Sequence, residues 1–139
     1  MKKILTIASA CLYLMGCSTA PINDKSVGSI PKDRIYQQDY FYKQSADQAS
    51  VTFTRDKGFL GSGCSHVLYV NNIKVFSIRS HEKATIYLPP DFYIFRLETG
   101  GGMCPDVAIS QDAQLKPGTE AEYRILLPSD FSLRLTRIK

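Results

Sequence analysis

The chain has 139 residues, with 17 basic and 13 acidic side chains and a formal net charge of +4. This length allows one domain with one hydrophobic core, and a small positive charge without a basic cluster argues against nucleic-acid binding. Beyond residue 16, no apolar run is long enough to span a membrane.

The N-terminus has the layout of a bacterial lipoprotein signal. Met1-Lys2-Lys3 supplies a basic start, and an apolar run of about 12 residues leads to Leu14-Met15-Gly16 and then Cys17. In lipoproteins that this pattern resembles, a diacylglycerol with fatty acids such as palmitate is attached to the cysteine sulfur, and the chain is cut before the cysteine. The resemblance implies a signal peptide over residues 1–16, cleavage between Gly16 and Cys17, and lipidation of Cys17.

Two other interpretations of this segment remain open, an ordinary secretory signal with an incidental cysteine and an uncleaved membrane anchor. The apolar run is shorter than the roughly 20 residues that a spanning helix needs. Ser18 stands where an Asp, in enteric-type lipoproteins, resembles an inner-membrane retention signal. We therefore expect the lipid on Cys17 to anchor the protein in the outer membrane, facing the periplasm. Loss of Lys2 and Lys3 with the signal lowers the net charge to +2.

Residues 18–34 are polar, contain Pro and Gly, and have no periodicity, which is typical of a linker. We therefore divide the mature chain into a flexible tether over residues 17–34 and a folded domain over residues 35–139.

The first part of this domain is rich in aromatic residues. They are Tyr36, Tyr40, Phe41 and Tyr42. Tyrosines beside a tether suit a contact surface, because each brings apolar area and a polar tip. The simpler interpretation, which we favour, is that they cover one edge of the core.

From residue 50 the sequence alternates apolar and polar residues in short segments separated by turn residues. The segments are 51–55, 66–70, 73–79, 84–88, 93–98, 120–127 and 131–137, with shorter pieces at 107–109 and 112–115. Asn71-Asn72 predicts a two-residue hairpin turn, because both residues tolerate positive φ. In the last segment, Phe131, Leu133 and Leu135 are expected to face the core. This spacing predicts an all-β fold, a sandwich or a barrel, which we interpret as an antiparallel β-sandwich of about seven short strands.

Part of this region resembles a known pattern. The residues that carry it are Arg55, Phe59, Gly61-Ser62, Tyr69-Val70-Asn71-Asn72, Val75, Leu88-Pro89-Pro90 and Tyr93. Over residues 51–97 they resemble a family of small bacterial lipoproteins with a domain of unknown function, and the hairpin half resembles the PEGA-type surface module. Asn71-Asn72 replaces the usual Asp-Gly, and Asp91-Phe92 stands where Gly is expected. The resemblance implies strands and turns, and the family has no agreed activity.

The cysteines predict one disulfide. Cys11 leaves with the signal and Cys17 is assigned to the lipid, which leaves Cys64 and Cys104 in a secreted domain. A bridge between them would close a loop of about 40 residues and stabilise the fold by roughly 4 kcal/mol. Two free buried thiols or a metal pair are the alternatives, although no further Cys or His stands at ligand spacing.

Few residues suit catalysis. His66 lies two residues from Cys64, so the two share a strand face and could support thiol chemistry, but the disulfide would occupy that sulfur. Gly100-Gly101-Gly102 resembles a phosphate cradle but is followed by Cys-Pro rather than a helix. His81 lies in a hairpin break. Five aspartates fall in predicted turns or loops, where Asp is common for local reasons, and no carboxylate pair for glycan hydrolysis is visible; the five are Asp47, Asp56, Asp91, Asp106 and Asp130.

The predicted bridge would join two glycine-containing loops, one with Gly58, Gly61 and Gly63 and the other with Gly100–Gly102. Loops on a rigid β scaffold are common binding sites. The alternative is that the bridge has only a structural role and restrains two flexible loops. We predict a non-enzymatic binding or accessory module of the cell envelope, without catalytic residues, metal or cofactor. The expected partners are the membrane, through the lipid on Cys17, and an envelope protein, with no nucleic acid. The alternatives are an exclusion or immunity lipoprotein and a structural component of a secretion or pilus machine.

Overall fold

The computed structural model of the chain describes residues 24–58, 62–128 and 130–139. Within these ranges the chain forms nine strands and three 3-10 helices, which confirms the predicted all-β class. The strands are β1 Gly28–Ser29, β2 Ala49–Arg55, β3 His66–Val70, β4 Ile73–Ile78, β5 Glu82–Leu88, β6 Phe92–Thr99, β7 Val107–Gln114, β8 Glu120–Leu126 and β9 Arg134–Arg137. The 3-10 helices are Asp24–Ser26, Lys32–Arg34 and Gln38–Phe41. No helix in the described ranges is long and apolar enough to cross a membrane.

The strands are arranged in two sheets. The five-stranded sheet has the order β1-β5-β2-β8-β9, and the four-stranded sheet has the order β4-β3-β6-β7. The four-stranded sheet is antiparallel, as predicted, whereas β2 runs parallel to β8 and β1 runs parallel to β5. The expectation of antiparallel pairing throughout was wrong for the larger sheet. Alternation along a strand determines which face each side chain takes, but it does not identify the neighbouring strand.

Aromatic rings from both sheets meet in one hydrophobic core. The alternation predicted for β2 is confirmed, and the Phe53 side chain is fully buried. Its ring contacts Phe76 and Phe95 of the four-stranded sheet edge-on, with centroids 5.9 and 5.3 Å away, and stacks on Tyr123 of its own sheet. Phe53 is therefore a point where the two sheets are held together.

The tight turn between β3 and β4 lies where the sequence predicted it. Asn71 and Asn72 have φ angles of 48° and 67°, as a hairpin of this type needs. His81, in the predicted polar break, has a φ of 68° and precedes β5 directly.

Two predicted segments differ in the structure. Residues 28–34, assigned to the tether, include β1, which pairs with β5, and Ile30, which is buried in the core. The sequence did not predict this strand, because the polar composition of residues 28–34 carries no information about the open edge of β5 with which they pair. Phe131 was predicted to face the core but has a φ of 56° and is exposed, because β9 begins only at Arg134.

We expect Phe53→Ala to lower the free energy of unfolding by about 3–5 kcal/mol, because it removes the ring that contacts both sheets and leaves a cavity. Chemical denaturation of the full-length chain measures the change. Thr54→Ala, on the opposite face of the same strand, is the matched control and should cost less than about 1 kcal/mol. Equal effects from the two variants would contradict the central position of Phe53.

Candidate functional site at the disulfide-bridged end

The predicted disulfide between Cys64 and Cys104 is confirmed, with the two Cα atoms 5.7 Å apart. Cys64 lies just before β3 and Cys104 lies beyond the end of β6. These strands are neighbours, with His66 opposite Thr99, so both loops leave the same end of the sheet. We call this part of the molecule the bridged end; it comprises residues 55–58, 62–66, 79–82 and 99–106.

A buried arginine supports the loop that contains Cys64. Arg55 is the last residue of β2, and only 3% of its surface is exposed. Its Nη1 donates a hydrogen bond to the backbone carbonyl of Cys64. Burial lowers the pKa of Arg55 to about 10, while the nearby carboxylate of Glu82 acts in the opposite direction. Arg55 therefore remains charged at neutral pH and connects the five-stranded sheet to the loop of the other sheet.

A buried histidine lies beside Arg55. His66 is fully buried, and its Nδ1 is hydrogen-bonded to Oγ1 of Thr99. Burial, reinforced by the charge of Arg55, lowers the pKa of His66 to about 3, so the imidazole is neutral at physiological pH. Its Nε2 has no hydrogen-bond partner among the described residues. The Cys64 sulfur is held in the disulfide, so it cannot act as a nucleophilic thiolate while the bridge is intact.

Two ion pairs flank this centre. Asp56 is buried and accepts hydrogen bonds from Nε of Arg124, at 3.2 Å, and from its Nη2. Arg34 forms a bidentate pair with Glu82, which also accepts a 2.7 Å hydrogen bond from the backbone N–H of Arg79. Burial acts to raise the pKa of Glu82, but these bonds lower it below its usual value. The base of the bridged end is thus fixed by charge-assisted hydrogen bonds.

The loop above this base is exposed. Gly101 and Gly102 have φ angles of 91° and 61°, and the Met103 side chain lies wholly in solvent. The chain then enters strand β7 and not a helix, so the field that helix N-termini supply to phosphate-binding loops is missing here. The bridged end therefore presents a flexible apolar side chain on a rigid base.

The predicted aromatic group divides between core and surface. Phe41 packs edge-on against Phe76, with ring centroids 6.0 Å apart, and Tyr40 is partly buried against the core. Tyr36 and Tyr42 are exposed, and the ammonium group of Lys74 lies 4.1 Å from the Tyr36 ring centroid.

A second organised surface was not predicted. On the outer face of the four-stranded sheet, the guanidinium of Arg96 lies 4.4 Å from the Tyr69 ring centroid and forms an ion pair with Glu98. Burial, followed by a hydrogen bond with Glu98, raises the pKa of Tyr69. Alternation places these residues on one face, but only the register of β3 against β6 makes Tyr69 and Arg96 neighbours.

Several predicted site residues lie outside the described residues. They are Gly16 and Cys17 of the lipidation site, and Phe59 and Gly61 of the first loop. Asp56 was predicted as a turn residue, and the structure shows it buried in an ion pair. Within residues 24–58, 62–128 and 130–139, no group of three or more His, Cys, Asp or Glu side chains is arranged to hold a metal ion.

The sequence matches no family model, and no curated protein is significantly similar to it. The resemblance to small lipoproteins with a PEGA-type hairpin therefore stays a prediction.

We expect the free energy of unfolding to decrease as the pH is lowered, and part of this decrease to come from His66. The folded chain keeps the imidazole neutral down to about pH 3, whereas the unfolded chain binds a proton below about pH 6.5. Stability from this group is therefore complete above pH 6.5 and is lost as the pH falls, by up to about 1.4 kcal/mol per pH unit. Denaturation curves between pH 7.5 and 4.5 should show a smaller loss for His66→Gln than for the unsubstituted chain. Equal slopes would contradict a buried neutral His66.

Proposed function

We propose that the chain is a lipid-anchored, non-enzymatic binding protein of the cell envelope, and that the bridged end is its contact surface. The observation that carries this proposal is the hydrogen bond from buried Arg55 to the Cys64 carbonyl. It places a desolvated charge directly beneath a solvent-exposed loop.

Burying a guanidinium group is unfavourable unless its hydrogen bonds are satisfied, and an apolar replacement often serves stability as well or better. Both charged residues that are buried within the described part of the chain, Arg55 and Asp56, lie at the bridged end. The disulfide by itself is enough to hold the two loops together, so the buried charges are not needed for that purpose. Their concentration at one end supports selection for a defined loop geometry, as a recognition surface requires.

We infer further that the two sheets are the layers of a β-sandwich that acts as the rigid scaffold. The contacts of Phe53 with Phe76 and Phe95 support this arrangement. The lipid on Cys17 would hold the scaffold at the outer membrane on its periplasmic side, and residues 18–27 would link the two.

The exposed chemistry of the bridged end indicates the kind of partner. Met103 supplies an adaptable apolar contact, and the exposed side chains of Lys57 and Arg79 add positive charge that outweighs the one negative charge of exposed Asp106. A protein surface with an apolar depression and an acidic border would complement these groups. An exclusion or immunity lipoprotein and a secretion or pilus component are alternative roles, and they would differ in the identity of this partner.

The anchor is tested by the intact mass of the protein purified from membranes. We expect the mass of a chain that begins at Cys17 and carries acyl chains, and we expect Cys17→Ser to move the protein from the membrane to the soluble fraction. Gly16 should be absent from the mature chain. A protein that still begins at Met1 would exclude the lipoprotein assignment.

The contact surface is tested by photo-crosslinking in intact cells. A photoreactive amino acid at position 103 should yield an adduct of one defined mass, whereas the same group at Asn72, in an exposed turn at the other end of β3, should not. The adduct should weaken at least about tenfold in a Cys104→Ser background, because the loop then loses its fixed geometry.

Equal adducts from positions 103 and 72 would show that proximity to the membrane, and not the bridged end, determines the contacts. An adduct unchanged by Cys104→Ser would show that the loop geometry is not needed.

A further inference from the structure

The four sheet edges differ in how far they are protected. Edge β1 has two residues, and edge β9 has four, of which Arg134 and Arg137 are charged. Edge β4 is covered, because the backbone N–H groups of Tyr36 and Gln37 both donate to the carbonyl of Val75. Edge β7 has eight residues, contains no Lys, Arg or Pro, and pairs with β6 alone among the described strands. Asp112 is its one charged residue, and it lacks the lysines and prolines that most often prevent strand addition.

The hydrogen-bond pattern shows which groups of β7 face outward. The backbone N–H of Leu115 donates to the carbonyl of Asp91, at 2.9 Å, and continues the register in which Gln114 lies opposite Phe92. In an antiparallel ladder, hydrogen-bonded and non-hydrogen-bonded pairs alternate. The odd-numbered residues of β7 therefore bond to β6. The residues whose backbone N–H and C=O groups point to the open edge are Ala108, Ser110, Asp112 and Gln114.

We propose that β7 pairs with β7 of a second copy of this chain, antiparallel, about a two-fold axis that passes at Gln111. In this register Ala108 pairs with Gln114 of the second copy, and Ser110 pairs with Asp112 of the second copy. All four outward residues of both strands are used, which gives about eight hydrogen bonds. The two four-stranded sheets then form one continuous sheet.

The side chains of the odd-numbered residues of β7, which face the core, support this register. Gln111 would lie opposite Gln111 of the second copy, as a non-hydrogen-bonded pair whose side chains are close. Its Oε1 is buried and has no hydrogen-bond partner among the described residues, and the amide N–H of the second copy would supply one. Ile109 would lie opposite Ala113 of the second copy, and Val107 opposite Leu115 of the second copy. These pairs are apolar and continue the core.

The exposed side chains of the even-numbered residues of β7 favour the same register. The Ser110 hydroxyl would lie beside the carboxylate of Asp112 of the second copy and could donate to it. Arg96, which is opposite Ser110 on β6, adds positive charge near that carboxylate. A shift of the axis to residue 112 would set the two Asp112 carboxylates against each other, which is unfavourable. A shift to residue 110 would leave Gln114 without a partner among the four outward residues.

The test uses single-cysteine additions in the full-length chain, oxidised in membranes and separated on a non-reducing gel. Gln111→Cys should give a covalent dimer, because residue 111 faces its own copy within disulfide range. Ser110→Cys is the matched control and should give at least about tenfold less dimer, because residue 110 faces residue 112 of the second copy. No dimer from Gln111→Cys, or equal dimer from both variants, would overturn the proposal.

A second variant pair keeps the proposal testable if the cysteine at position 111 disturbs the fold. Gln111→Glu would bring two carboxylates together at the axis, whereas Gln114→Glu would place the same charge opposite Ala108. Sedimentation of the full-length protein in detergent at pH 7.5 should show a dimer association constant at least about tenfold lower for Gln111→Glu than for Gln114→Glu. Equal association constants, or a monomer at every concentration without substitution, would overturn the proposed pairing.

Discussion

The alternation of side chains along β2 is the constraint on which the rest of the structure depends. This strand lies between β5 and β8, and its inward residues include both Phe53 and Arg55. Phe53 lies among the rings of both sheets, and Arg55, two residues later on the same face, reaches the loop before β3. A one-residue slip of β2 would expose both side chains, so the core and the bridged end depend on the same register.

The disulfide and the buried polar groups act on the bridged end in different ways. The bond between Cys64 and Cys104 limits the separation of the two loops, and it stabilises the fold mainly by restricting the unfolded chain. It leaves the loops free to rotate about the bond. Arg55 and His66 remove that freedom, because each side chain from the interior bonds to a group at the base of a loop: the Cys64 carbonyl and the Thr99 hydroxyl. The bridge therefore holds the two loops together, the buried side chains fix their orientation, and the geometry of this end depends on both.

Local patterns in the sequence predicted what local physics determines. Period-two alternation located most of the strands, Asn71-Asn72 located a hairpin turn, and two remaining cysteines located the bridge. Features that depend on which strands become neighbours were not predictable. The parallel pairing of β2 with β8, and the addition of β1 to the edge of β5, have no local signature.

At the candidate site, the sequence predicted the bridge but not the residues beneath it. Arg55 and Asp56 follow the core positions of β2 and resemble ordinary polar residues that end a strand. Their burial depends on Cys64 and Arg124, which are distant in sequence. A charged residue in phase with the buried positions of a strand, as Arg55 is with Phe53, is the signal that could have identified the site.

The two proposals together constrain how the molecule would lie at the membrane. Because β7 begins at the bridged end, antiparallel pairing of two copies points the two bridged ends in opposite directions. In each copy β1 lies beside the bridged end, because Gly28 pairs with Glu82 at the start of β5. The ten residues between Cys17 and Gly28 span at most about 36 Å, whereas eight strand residues span about 27 Å. Each tether can exceed the separation of the two bridged ends, so both anchors could reach one membrane when the strands lie parallel to its surface. The two contact surfaces would then face sideways, away from each other, where each could bind a separate partner.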